Sequence, residues 1–119
     1  MFRKAILTTA LLFGSMTQLY AHAHLTQSEP ADDAVLNKTP AIISIEYTEV
    51  LELGLSKLAL KDESGTAIET GKLEHIDGNT KTLSIKPPAL KPGTYKVEWG
   101  AASVDTHRTE GSFTFKIVK

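Results

Sequence analysis

The clearest strand pattern of the chain lies in residues 93–107, GTYKVEWGAASVDTH. Over its first half apolar and polar side chains alternate, which is the period of a half-buried strand and puts three large side chains on one face: Tyr95, Val97 and Trp99. The strand is expected to end at Gly100. Asp105 and His107 follow two positions apart, so on an extended segment their side chains point the same way. The stretch predicts a central strand and then a loop that presents a carboxylate and an imidazole together.

Other segments predict further short strands separated by turn residues. We expect strands at residues 22–28, 41–47, 55–61, 80–85 and 112–118, while residues 67–75 fit either one bent strand or two short ones. Residues 31–40 and 104–110 are polar and predict loops. About seven strands at regular spacing, with no helical period after the first 21 residues, indicate an all-β fold: an antiparallel sandwich or barrel.

The length and the N-terminal pattern define the expected domain organisation. With 119 residues, 41% hydrophobic and 23% charged, the chain suits one small domain. Arg3 and Lys4 precede an apolar segment at residues 5–14 that ends near small residues, which is typical of a cleaved signal peptide rather than a short membrane anchor. Cleavage after residue 21 leaves His22 first, whereas the small-x-small rule slightly favours a cut that leaves His24 first. The mature protein is expected to be exported.

Composition excludes several functions. The chain has no cysteine, and both methionines, Met1 and Met16, precede the expected cleavage sites, so sulfur ligands and disulfides are not expected. Without Arg3 and Lys4, 11 of the 13 basic residues remain against 14 acidic ones, which argues against binding to nucleic acid or to an anionic membrane surface. No later apolar run is long enough to span a bilayer. The common catalytic motifs are missing too, so an enzyme is not expected.

The histidines suggest a metal site. A terminal His22 would present both its α-amine and its ring nitrogen, and His107 would add a third nitrogen. Asp105 or water would complete a tetragonal nitrogen and oxygen set, which Cu(II) prefers. His24 is an alternative ligand, because a histidine in third place can bind Cu(II) through the amine and two deprotonated amides. Strand pairing would withdraw those amides from the metal.

Two further polar residues have competing interpretations. Glu49 follows an alternating strand, and a metal role and a solvated carboxylate remain equally open for it. His75 lies beside Asp77 and Gly78 in a polar turn region, so it is expected to be a solvated surface residue.

Two segments resemble a known family. The chain reads HAHLTQSEPAD at residues 22–32 and LKPGTYKVEWGAASVDTHRTEGSFTFKI at residues 90–117. Both are similar to the periplasmic copper-resistance protein CopC family, in its YobA-like branch. The similarity covers the whole mature domain, more loosely in the middle, and the combination of an N-terminal histidine with Ser-x-Asp-x-His is its specific part.

This resemblance implies a fold and a ligand set. The fold would be a small Greek-key β-barrel related to the immunoglobulin and cupredoxin shapes. Cu(II) would be bound by His22, Asp105 and His107, and the acidic residue that the family has near copper falls on Glu49. The cleavage would leave His22 first, giving a signal peptide at residues 1–21 and a copper-binding β domain at residues 22–119. The methionine-rich Cu(I) site of some members has no counterpart here.

The implied function is a periplasmic Cu(II)-binding protein in copper homeostasis and resistance, which holds or delivers the ion. The implied partner is the inner-membrane copper-resistance protein CopD. One alternative is a histidine-brace copper monooxygenase, which needs an open axial position that Asp105 and Glu49 would crowd. The other alternative is an immunoglobulin-like binding module with incidental histidines and no metal.

Overall fold

The computed structural model describes residues 24–105 and 107–119. The expected signal peptide and His22 lie outside the described residues. Within them the chain forms nine strands and a 3₁₀ turn, Leu53–Leu55. The strands are β1 Leu25–Glu29, β2 Ala34–Leu36, β3 Ile43–Tyr47, β4 Lys57–Lys61, β5 Ala67–Ile68, β6 Glu74–Ile76, β7 Asn79–Ile85, β8 Gly93–Ala102 and β9 Arg108–Ile117. None of the helical structure in this part of the chain is long and apolar enough to cross a membrane.

The strands form two sheets. One sheet has the order β1-β3-β7-β6 and the other β2-β9-β8-β4-β5. All neighbouring strands are antiparallel except β2 and β9, which pair in parallel. This arrangement confirms the all-β fold predicted from the sequence, as a sandwich of two sheets. β8 and β9 lie at the centre of the five-stranded sheet and pair over their whole length, from Gly93 opposite Ile117 to Ala102 opposite Arg108.

The core lies between the sheets and is built from the alternating residues. In β3, β8 and β9 the inward face carries the side chains that the sequence placed there, which confirms those three strand faces. Tyr95 stacks on Phe115 across the β8–β9 ladder, with 5.6 Å between ring centroids. The buried side chains of the three predicted alternating strands are Ile43, Ile45, Tyr47, Tyr95, Val97, Trp99, Phe113, Phe115 and Ile117.

The sheet edges are short. The edge strands of the described residues are β1 and β6 in one sheet and β2 and β5 in the other. β2 and β6 have three residues each and β5 has two. β1 has five residues, and its register with β3 shifts between Leu25 and Gln27.

One predicted loop contains a strand. Residues 31–40 are polar and were expected to be loop, but they include β2, which pairs with β9. Two aspartates make this possible, because they bond to the backbone of Thr114. The Thr114 amide donates to Oδ1 of Asp32 over 3.0 Å, and the Asp33 amide donates to the Thr114 carbonyl over 2.7 Å. Residues that usually indicate a turn therefore attach a strand here.

The central hairpin is longer than predicted. β8 was expected to end at Gly100, but it continues to Ala102, and β9 begins at Arg108 within the predicted loop. Gly100 leaves room for the Arg108 side chain of the paired strand, since a Cβ at position 100 would lie 2.8 Å from Nη2 of Arg108. The predicted loop over residues 104–110 is therefore a shorter connection, residues 103–107.

Residues 67–75 contribute to two short strands in different sheets. β5 pairs with β4, whereas β6 pairs with β7. His75 lies in β6, is only partly exposed, and has its Nδ1 2.8 Å from the Thr82 carbonyl oxygen. It is therefore less solvated than predicted, because the sheet supplies a hydrogen-bond partner.

Trp99 packs on a glycine of the neighbouring strand. Trp99 and Gly111 are cross-strand partners, and a Cβ placed on Gly111 would lie 2.5 Å from Cζ2 of Trp99. The indole also meets Tyr47 edge-on, with centroids 5.9 Å apart and an interplanar angle of 73°. Gly111 thus leaves the space that lets the indole reach across the core to Tyr47.

We expect Gly111→Ala to destabilise the fold by about 1–3 kcal/mol, because the added methyl group must displace a ring inside a packed core. Chemical denaturation followed by Trp99 fluorescence measures this loss. Gly54→Ala is the matched control, since a Cβ at Gly54 would meet nothing within 4 Å. Equal stabilities for the two variants would contradict the packing described for Trp99.

Candidate metal centre

The connection between β8 and β9 is closed by Ser103. Its amide donates to the His107 carbonyl over 2.9 Å, directly after the last pair of the ladder. Ser103 is buried and forms an isolated β-bridge with Leu51, which is buried as well. The loop of residues 103–107 is therefore fixed at its base from two sides.

Asp105 and His107 lie side by side on this loop. Oδ1 of Asp105 is 3.3 Å from the His107 amide nitrogen and 3.3 Å from its Nδ1. Both side chains are exposed. The structure brings together the carboxylate and the imidazole that the sequence singled out, and both face solvent. Their role as metal ligands remains a prediction.

Ser103 also orients the carboxylate. Its buried hydroxyl donates to Oδ1 of Asp105. This bond, followed by that from the His107 amide, lowers the pKa of Asp105 below its ordinary value. The carboxylate is thus kept ionised and directed, which suits a group that is to bind a cation.

Residues 48–52, which follow β3, run alongside the loop. The Val104 amide donates to the Val50 carbonyl over 3.2 Å, and the Glu52 amide donates to the Ala102 carbonyl over 2.9 Å. We call residues 48–52 the bridging segment, because its other end holds the start of the described chain. There the Thr48 amide donates to the His24 carbonyl over 3.0 Å, and the His24 amide donates to Oγ1 of Thr48 over 2.9 Å.

Glu49 lies in the bridging segment and is partly buried. Burial raises the pKa of Tyr47, and the negative charge of Glu49 raises it further. The Tyr47 hydroxyl is hydrogen-bonded to Oγ1 of Thr109, near the start of β9. Glu49 therefore lies at the same end of the sandwich as the loop of residues 103–107. Its negative charge disfavours ionisation of the Tyr47 hydroxyl.

The described residues form only part of a metal site. Within residues 24–105 and 107–119, no three side chains of histidine, cysteine, aspartate or glutamate lie close enough together to hold an ion. His24 stands at the start of β1, while His75 is in β6 and belongs to no such group. His22, the remaining candidate ligand, lies outside the described residues.

Sequence reasoning assigned no role to the supporting residues, although Ser103 belongs to the Ser-x-Asp-x-His pattern. Ser103 had a visible signal, because a small hydroxyl residue two positions before a carboxylate can bond to it. Thr48 had none, since its contact with His24 spans 24 positions in the chain.

Comparison with known proteins gives the family. The CopC domain family model matches residues 25–118. The chain belongs to the CopC family. It is 37% identical over 114 residues to protein YobA of Escherichia coli, which covers 95% of this chain and 90% of YobA. This membership confirms the resemblance seen in the sequence.

Two further CopC relatives are named for copper. The copper transport protein CutJ of Bacillus subtilis is 31% identical over 115 residues, which cover 96% of this chain but 21% of CutJ. The solved structure of PcoC, a methionine-rich copper resistance protein from Escherichia coli, superposes with a TM-score of 0.72 at 30% identity, covering 82% of this chain and all of PcoC. The match to PcoC supports the sandwich fold. The two proteins differ in composition, since PcoC is methionine-rich and residues 24–119 of this chain contain no methionine.

We expect Ser103→Ala to raise the pKa of Asp105, because the carboxylate loses its main hydrogen-bond donor. A folded-state pKa that is depressed adds stability above the unfolded-state pKa, and this is lost as pH falls through the folded-state value. As the pH falls, the free energy of unfolding of Ser103→Ala should therefore decrease less than that of the unmodified protein. NMR titration of the Asp105 side chain measures the pKa directly.

The chain contains a matched control for this variant. Oγ of Ser64 donates to Oδ1 of Asp62 over 2.8 Å, and this bond is the main cause of the lowered pKa of Asp62. Ser64→Ala should shift Asp62 and leave Asp105 unchanged. If Ser64→Ala moved Asp105 as far as Ser103→Ala does, the local bond would not be the cause.

Proposed function

We propose that this chain is a periplasmic Cu(II)-binding protein of copper homeostasis and resistance, which holds or delivers the ion and is not an enzyme. The observation that carries the proposal is the Asp105–His107 pair, oriented by Ser103 on the exposed loop. The copper resistance and transport functions named for the relatives support the choice of metal.

The donor set fits Cu(II) better than other copper chemistry. Asp105 supplies a carboxylate and His107 an imidazole, and the proposed third residue, His22, adds an α-amine and a second imidazole. Nitrogen and oxygen donors suit Cu(II), whereas Cu(I) favours the sulfur ligands that the mature chain lacks. Glu49 is proposed as an acidic residue near the copper, because it lies in the bridging segment at the same end of the sandwich.

His22 is within reach of that end. The bridging segment holds His24 through two hydrogen bonds at Thr48, one from its backbone amide and one to its hydroxyl, and His22 is only two residues earlier. Two residues span at most about 7 Å, and on this chain length we propose that the His22 amine lies near the bridging segment. The same bonds disfavour His24 as the main ligand, since its amide hydrogen is already donated to Thr48.

The alternatives are less well supported. A copper monooxygenase needs an open axial position, and the hydrogen bonds from Ser103 and the His107 amide hold the Asp105 carboxylate beside the imidazole. A binding module without metal does not account for membership in a family whose relatives are named for copper. The proposed partner is an inner-membrane protein like CopD. CutJ is compatible with such a partner. In CutJ a region similar to this chain makes up only 21% of the protein, so a CopC-like region and a longer remainder occur together in one copper transport protein.

We expect His107→Ala to weaken Cu(II) binding far more than Asp105→Asn, because it would remove a nitrogen donor from the proposed ligand set. His75→Ala is the control and should leave the affinity unchanged, since His75 lies in β6 of the other sheet. Competition titration against a Cu(II) chelator measures all three. A loss at His75 equal to that at His107 would place the site elsewhere.

The α-amine ligand can be tested by a single added residue. Retaining a Met ahead of His22 converts the amine to an amide and removes the chelate. Loss of one outer-shell partner already costs about 10–100-fold in metal affinity, so we expect at least about a 100-fold loss here. The circular dichroism spectrum should not change, because the addition precedes β1. Equal Cu(II) affinities for the two forms would exclude the amine as a ligand.

A further inference from the structure

Large apolar side chains are exposed around the candidate metal centre. They are Val50, Leu55 and Val104, which we call the apolar patch. Hydrogen bonds attach them to the β8–β9 connection and the start of β9: the Val104 amide donates to the Val50 carbonyl, and Nη1 of Arg108 donates to the Leu55 carbonyl over 2.5 Å. Val104 directly precedes Asp105. The patch therefore adjoins the loop that presents the proposed ligands.

The local pairing directs these side chains outward. The bridging segment runs antiparallel to residues 102–104, with Leu51 opposite Ser103. Leu51 and Ser103 are buried whereas Val50 and Val104 are exposed, as in the alternation of an extended chain, although Ala102 on the other side of Ser103 is buried as well. The core cannot accept them without reversing a buried pair. Their exposure is built into the fold.

The surroundings of the apolar patch are acidic. Glu52 and Asp105 are exposed and Glu49 is partly exposed. Two of the described cations lie near the patch. Arg108 is bonded to the Leu55 carbonyl and lies 3.5 Å from the Glu110 carboxylate, and the exposed Lys57 follows Leu55 by two residues, so the three carboxylates outnumber them. The patch thus combines an apolar centre with a negatively charged rim, which is the pattern of a protein interaction surface.

We propose that the apolar patch docks a copper-exchanging protein whose contact surface presents lysine or arginine around apolar residues. This proposal rests on the proposed copper function, because the patch adjoins the metal loop. Docking there would bring the partner's own ligands next to Asp105 and His107. A contact surface centred on three apolar side chains is small, and small interfaces are typical of transient complexes. In such complexes charge complementarity helps to orient the partner.

The negative charge around the apolar patch favours a basic protein over two other possible occupants, a second copy of the chain and an anionic lipid surface. A second copy of the chain, packed patch to patch, would bring two acidic rims together, and like charges across an interface cost affinity. An anionic lipid surface would be repelled by the same carboxylates. A basic protein surface is the occupant that the rim favours.

The test is photocrosslinking of the full chain in its native host, with p-benzoylphenylalanine placed at single positions. Leu55 and Val50 are the patch positions, 65% and 36% exposed. Val35 and Val118 are matched controls, 64% and 38% exposed, towards the other end of β9. We expect a protein adduct at Leu55 and Val50 and none at the controls. The crosslinked peptide of the partner should contain lysine or arginine beside apolar residues.

Charge reversal tests the rim. With the crosslinker at Leu55, Glu52→Lys should lower the adduct yield about tenfold, because it places a cation against a basic surface. Glu63→Lys, in the exposed turn after β4, should leave the yield unchanged. An adduct with a second copy of the chain, an adduct with lipid, an acidic partner peptide, equal yields at both ends, or no adduct would each overturn the proposal.

A separate measurement distinguishes failure of docking from failure of the copper function. Leu55→Ser and Val35→Ser should both bind Cu(II) with the affinity of the unmodified protein, since neither residue is a proposed ligand. Intact Cu(II) binding without the adduct would overturn the docking surface alone. An adduct formed by a protein that does not bind Cu(II) would overturn the copper function and the copper-exchanging role of the partner.

Discussion

The register of the β8–β9 ladder is the constraint on which the candidate metal centre depends. The ladder ends at Ala102 and Arg108, so five residues must close the hairpin, and Ser103 fixes them through its bond to the His107 carbonyl. A slip of one residue would turn every side chain of a strand to the other face. It would move Trp99 off Gly111. The core and the loop thus depend on the same alignment.

Much of the fold follows from local pattern. Side chains that alternate between apolar and polar identify β3, β8 and β9 and their buried faces, because one side of each strand must face the core. The pattern fails where a residue has a role that its type does not usually have. Asp32 and Asp33 predict a turn but attach β2 to β9, and Gly100 predicts a strand end but admits the Arg108 side chain. Both exceptions depend on a partner in a paired strand, 82 positions away for Asp32 and eight for Gly100.

In the candidate site, too, the sequence predicts the local features and not the long-range ones. Asp105 and His107 are two residues apart, so their proximity is a local property that the sequence predicts. The bridging segment is joined to the loop and to His24 through long-range hydrogen bonds, one of which uses the Thr48 side chain, and no composition or spacing indicates these. The family resemblance named Glu49, and the structure accounts for its position at this end of the sandwich. The sequence therefore indicated the candidate ligands more readily than the hydrogen bonds that position them.

The short sheet edges have a consequence for how this protein meets other chains. An unpaired strand is a template on which a foreign strand can add, and long flat edges lead to aggregation. Here two of the edge strands described have three residues, one has two, and β1 is interrupted by a shift in register. Strand addition would gain few hydrogen bonds at any of them. The described edges therefore disfavour both recognition and polymerisation by strand addition, and leave recognition by side chains as the more favourable mode.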